Sequence, residues 1–329
     1  DVKELGTNQG LDGTLLATIG LLMPMYDATS NLVYLPGLKW TCAAILAIDH
    51  VNHRNASIVG QDTLSRLPKE FKIRFKLVNS GFTGNSAAAA FVAWQRDSGK
   101  LEYVDQSCTA YKDAIKQNAT SSKDLERASL QPYPYEALLG IPADALIGCA
   151  DSEAAETVAT LAQLDQISLM SFAATSSELA DKSRYPKFSR TNPSNGLLAR
   201  AVMGVGKHFG WSRVNVVVAD HHDATSWVSE LESAASTPGI GIAKLLKFRS
   251  NSSKSIRASV RSLSAEFHSS SEDTGDRSHV TVLAAASSVD IGFFVKFAVQ
   301  DGILGDGFVW MVATDPGDPE DTVMMLRDV

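Results

Sequence analysis

Short runs of apolar and β-branched residues alternate along this 329-residue chain with stretches whose apolar positions recur at helical spacing. No other feature constrains the fold as much. The runs at 17–23, 71–78, 145–149, 167–172, 214–219, 242–248, 280–285 and 308–313 predict strands, and helices are predicted near 37–53, 83–95, 152–164, 195–209, 224–235, 253–268 and 289–300. A helix between successive strands carries the chain back to its starting edge, so the strands pair in parallel and the helices cover the sheet. The expected class is therefore α/β. The 195–209 segment shows the pattern: Pro193 and Ser194 supply the start, Leu197, Leu198, Ala201, Val205 and Phe209 repeat at helical spacing, and Gly210 ends it. Two stretches break the rhythm. Residues 97–142 are too long for an ordinary connection and read as an inserted surface loop with some helix of its own, and 269–279 read as a polar, solvated loop. Residues 190–194, Arg-Thr-Asn-Pro-Ser, place a proline in an extended step and predict a strand crossing between two halves.

The length calls for two domains or lobes rather than one. A net charge of −7 disfavours a nucleic-acid backbone or an anionic lipid surface as the main partner, since either would repel the surface. The longest apolar stretch, 15–25, is broken by Thr18 and Gly20 and is too short to cross a bilayer. The chain begins at Asp1 rather than Met, as a processed amino terminus would and as a trimmed one would equally. Asn55, Asn118 and Asn251 each head an Asn-x-Ser/Thr acceptor in a polar stretch, the pattern of a glycoprotein. Three cysteines, Cys42, Cys108 and Cys149, permit one disulfide and one leftover thiol; Cys42 lies in a nearly all-apolar helical pattern and reads as a core residue.

Enzymatic signatures are missing from the sequence. Residues 219–226 carry His221 and His222 between Asp220 and Asp223, but adjacent side chains point apart and metal-binding pairs sit three or four residues apart, so no metal is expected. Gly204, Gly206 and Gly210 fall inside or at the end of a helical pattern rather than after a strand, which excludes a phosphate loop. No nucleophile elbow or zinc-protease motif occurs, and nothing calls for a cofactor. What remains is a set of polar residues just beyond predicted strand ends, where open α/β sheets bind ligands. Ser152 falls in the first turn of a helix, whose free N–H groups could hold a carboxylate; Thr175 follows the strand at 167–172, and Asp315 follows the strand at 308–313, where it could meet an amine. The plain alternatives are a helix cap at Asp151 or Ser152, a turn at Thr175 and a loop start at Asp315.

Residues 171–211 carry Ala-Thr-Ser after a strand, Leu-x-Asp-Lys-x-x-Tyr-Pro, Phe-x-Arg-Thr-x-Pro-Ser and a helix ending in Phe-Gly-Trp. This order resembles the extracellular ligand-binding region shared by natriuretic-peptide receptors, metabotropic glutamate receptors and GABA-B receptors. The segments Ile-Gly-Leu-Leu-Met-Pro-Met near the amino terminus and Ala-Leu-Ile-Gly-Cys-Ala-Asp-Ser at 145–152 resemble it as well. The resemblance runs through most of 14–315 and implies a type I periplasmic-binding-protein-like fold, a Venus flytrap of two α/β lobes closing on a small ligand. Lobe 1 would span 1–191, with the insertion at 97–142, and lobe 2 would span 192–329. Members of that family continue past the last predicted strand and return to complete lobe 1; here the carboxyl part of lobe 1 is expected outside this sequence, or supplied by another polypeptide.

The resemblance also assigns roles. Relative to amino-acid-sensing receptors, Ser152 is similar to the hydroxyl that grips the ligand carboxylate, Thr175 to a residue contacting the ligand amine, and Asp315 to an amine-binding carboxylate. Asn195 stands where an acid usually follows the Pro-Ser step, and Asp223 falls where an aromatic usually covers the ligand. No basic residue lies between Met25 and Leu35 to anchor a distal acid, which disfavours glutamate. Cys149 matches a cysteine that is disulfide-bonded in GABA-B-type receptors, with Cys108 the nearest partner. The implied protein is a non-catalytic extracellular or cell-surface sensor, membrane-associated through a part not present here, working as a homo- or hetero-oligomer through lobe 1. The alternatives are a structural or adhesive module that kept the fold and lost the ligand, and a solute-capturing transport component.

Overall fold

A computed structural model describes residues 15–26, 33–96, 143–220, 224–236, 239–269, 279–284 and 288–313. Strand β1 (Leu15–Met23) lies inside a five-stranded sheet with β2 (Phe71–Asn79), β3 (Ala145–Gly148), β4 (Ser168–Ser171) and β5 (Phe188–Arg190). The order is β2-β1-β3-β4-β5, and every pair is parallel. Between β1 and β2 come α1 (Leu35–Asn52) and two short helices, α2 (Ala56–Val59) and α3 (Gln61–Arg66). Helix α4 (Gly84–Arg96) follows β2, and α5 (Ser152–Leu164) joins β3 to β4. Alternation along the strands sorts the core: Leu22, Leu146 and Leu169 pack with Phe91 of α4 and Val158 of α5, while Leu21, Met23 and Leu77 pack with Leu38, Ile45 and Ile48 of α1.

The second sheet is parallel as well, in the order β7-β6-β8-β9. Helix α6 (Asn195–His208) leads into β6 (Arg213–Ala219), followed by α7 (Ala224–Ser236), β7 (Gly241–Phe248), α8 (Ser253–Ser269), β8 (His279–Ala284), α9 (Ser288–Gln300) and β9 (Phe308–Ala313). Val214, Val216 and Val218 face α6 and α7, whereas Val217, Ala219 and Leu283 face α8 and α9. Strand β6 is thus buried on both faces from Val214 to Ala219, as an interior parallel strand must be.

The first sheet is covered less evenly. One face carries α4 and α5; among the described residues the other carries α1, over the β1 and β2 side. Strand β4 is interior, yet Ser168 is exposed and Met170 keeps 43% of its surface. Beside Ile147, the register partner of Met170, an apolar trough of about 390 Å³ runs between the sheet and Trp40, Ala43 and Ala47 of α1.

By their internal contacts the residues divide into two compact units, Asp1–Ala174 with Leu179–Asn192, and Thr175–Glu178 with Pro193–Val329. Both sheets follow the α/β alternation expected from the sequence. One detail differs. The strand expected over 190–194 lies earlier, at Phe188–Arg190, paired to the edge of β4. Pro193 has no N–H to give a ladder, and Ser194 is the cap of α6, its side chain accepting from the Leu197 N–H at 3.2 Å. The insertion at 97–142 and nearly all of the 269–279 loop lie outside the described residues.

Candidate functional site

The turn from β3 into α5 is fixed by a close approach. Gly148 has φ +142°, and a Cβ there would lie 2.0 Å from the Leu22 carbonyl oxygen of the neighbouring strand, so only glycine fits. Cys149 follows in the left-handed region at φ 54°, and Asp151 then caps α5, its carboxylate accepting from the N–H groups of Glu153 at 2.9 Å and Ala154 at 3.2 Å. Ser152 is the first residue of α5 and only 5% exposed. The carboxylate of Asp151 therefore already occupies two N–H groups that the sequence offered to an anion. Cys149 is fully buried, and burial, with the charge of Asp151 adding to it, pushes its thiol up to about 12.

A single hydroxyl joins this turn to the next one. Ser171, at the end of β4, donates to the Cys149 carbonyl at 2.9 Å and accepts from the N–H groups of Ala174 at 2.9 Å and Ala173 at 3.3 Å. The Ala174 carbonyl in turn accepts from the Asn192 side chain at 3.2 Å and from Arg190 at 3.3 Å. One residue further on, the Thr175 carbonyl accepts from the Asn195 N–H at 2.8 Å, and the Ser177 hydroxyl accepts from the Gly196 N–H at 3.1 Å. Thr175 and Asn195, two residues singled out in the sequence, are thus brought together through the start of α6. Asn195 is fully buried, and neither its amide nitrogen nor its amide oxygen has a hydrogen-bond partner.

Sequence reasoning missed an aromatic group gathered beyond the strand ends of the first sheet. Tyr34 stands edge-on to Phe82 at 4.9 Å and to Trp40 at 5.8 Å, and Trp40 lies 5.2 Å from Phe172. Phe82 keeps 37% of its surface exposed. Asn79 holds the adjacent loop: its side-chain oxygen accepts from the N–H groups of Met25 at 2.8 Å and Tyr26 at 3.3 Å, and its amide donates to the Tyr26 carbonyl at 2.9 Å. Phe82 and Phe172 fall within three residues of a strand end, whereas Tyr34 precedes α1 and Trp40 lies inside it, so no shared spacing in the sequence marks the group.

Asp223, Asp315, Cys108 and Asn118 lie outside the described residues. Cys149 is a free thiol here, and Cys42 is half-buried against the α1 side of the core. Asn55 and Asn251 are exposed; the Asn55 side chain caps α2 by accepting from the Ser57 N–H at 3.0 Å, and Asn251 has φ 57° with its N–H given to Asp290 at 2.7 Å. Among the described residues no cluster of three or more His, Cys, Asp or Glu side chains could hold a metal ion, and no helix is long and apolar enough to cross a membrane.

Two parallel sheets flanked by helices, in two compact units, are the fold that the resemblance implies. The family model of the receptor family ligand binding region matches residues 39–324. The chain belongs to this family. Among curated proteins, this receptor ligand-binding region is 25% identical over 179 residues to metabotropic glutamate receptor-like protein E of Dictyostelium discoideum. That alignment covers 53% of this chain and 21% of the relative, so the chain spans well under half the length of the protein it matches.

Proposed function

We propose that this receptor ligand-binding region is a non-catalytic, extracellular sensor domain whose two lobes close on a small, amino-acid-like molecule. Membership of the receptor family supports the receptor role. The observation that carries ligand binding is Asn195: a fully buried amide with both ends unpartnered costs about 1–3 kcal/mol for each group, a cost that a polar ligand offsets when it supplies the missing bonds. Closure draws its energy from contacts present only in the closed state, so both lobes must supply residues. Ser152, with the aromatic group of Tyr34 and Phe82, would come from one unit; Thr175, Asn195, Asp223 and Asp315 would come from the other. In this proposal Asn55, Asn118 and Asn251 carry glycans, Cys149 pairs with Cys108, and the domain works as an oligomer through lobe 1, attached to a membrane by another part of its receptor.

Thermal unfolding against a panel of amino acids and small amines tests the central claim. A ligand at a hundred times its Kd stabilises the folded form by about 2.7 kcal/mol, which raises the midpoint by several degrees. The shift should vanish in Ser152→Ala and in Asn195→Leu. No shift with any member of the panel, together with polymer or fibre formation, would replace the sensor with a structural module.

A further inference from the structure

Asn215 on β6 and Thr281 on β8 are register partners in adjacent parallel strands. They share the face of Val217, Ala219 and Leu283, beneath α8 and α9, and are 3% and 0% exposed. The Asn215 amide oxygen and the Thr281 hydroxyl both lack a hydrogen-bond partner. The same row continues to both edges of the sheet and is satisfied there. Lys244, opposite Asn215 on β7, donates to the Ser262 carbonyl of α8 at 2.9 Å and lies 3.6 Å from the Glu266 carboxylate. Trp310, opposite Thr281 on β9, donates its indole N–H to the Ile303 carbonyl at 2.9 Å.

We propose that the inner pair of this row is a built-in binding site for one water molecule, which donates to the Asn215 oxygen and accepts from the Thr281 hydroxyl. The helix above adds no free donor to the layer, since the buried Ser259 hydroxyl of α8 donates to the Ser255 carbonyl at 3.4 Å. Two polar groups lie within the range of about two to four partners that an interior water takes. The bound water specifies register. Around the pair, β6 and β8 present mostly valine, leucine and alanine, and a slip of two residues would keep every side chain on its own face while separating Asn215 from Thr281. Strand alternation alone does not exclude such a slip; a shared water does.

A crystal structure of the whole chain at a resolution that shows ordered solvent tests the site directly. The expected result is one ordered water within about 2.7–3.2 Å of both the Asn215 oxygen and the Thr281 hydroxyl. A direct bond between the two side chains, or no solvent density between them, overturns the proposal. An unfolding cycle with Asn215→Leu, Thr281→Val and the double variant gives a second readout. Each single change should lower the midpoint, and the double change should recover most of the loss, because a lone buried polar group is worse than none. Additive losses overturn the proposal.

Discussion

At the scale of single residues, Cys149 makes the sharpest pH prediction. Burial raises its thiol from an ordinary 9.0 to about 12, so the folded form keeps the proton when an unfolded chain would lose it. The stabilisation is complete below about pH 9 and is lost as the pH climbs toward 12. The unfolding midpoint should therefore fall across this alkaline range more steeply in the parent than in Cys149→Ala, as measured by circular dichroism at a series of pH values. In a chain whose Cys149 is bonded to Cys108 the extra slope disappears, and peptide mapping without reductant identifies that form. Asp151→Ala removes the cap of α5 and should cost about 1 kcal/mol in denaturant unfolding. Gly148→Ala should cost more, about 3 kcal/mol or above, because the added carbon collides with the Leu22 backbone, which cannot give way.

At the scale of elements, the long helices and the apolar strands were legible, β3 and β4 included, and the short helices were not. Helices α1, α5, α6 and α8 stand within two residues of their expected bounds, because each spans several turns of apolar repetition. Helices α2 and α3, of four and six residues, are too short to show a period, and the three-residue β5 was displaced because Pro193 drew attention to the segment after it. The candidate site divides in the same way. Ser152, Thr175 and Asn195 could be named from motifs, but the unsatisfied amide of Asn195 depends on burial, and the Tyr34 group depends on three loops meeting. Both are tertiary facts with no local signature. Among the helices, α4 offers the clearest test of packing: Phe91 is 2% exposed between the sheet and α5, and Phe91→Ala should destabilise the fold by about 3–5 kcal/mol in denaturant melts.

At the scale of the whole molecule, the family accounts for two units of the same strand-and-helix grammar in one chain, and among the described residues the two sheets differ in how completely they are covered. Hydrophobic burial scales with the area withdrawn from solvent, so the difference has an energetic meaning. Backbone amides of β6, with helices above and below, should exchange with deuterium only on global opening. Those of β4, where Met170 stays exposed, should exchange through smaller and more frequent openings. Exchange monitored by mass spectrometry should rank the two strands in that order, and equal protection would contradict it. The consequence reaches biogenesis: among the described residues the inner strand of the second sheet is sealed on both faces, whereas Met170 on the first leaves a patch of greasy wallpaper in view, a spot that a chaperone or a further stretch of protein would favour covering.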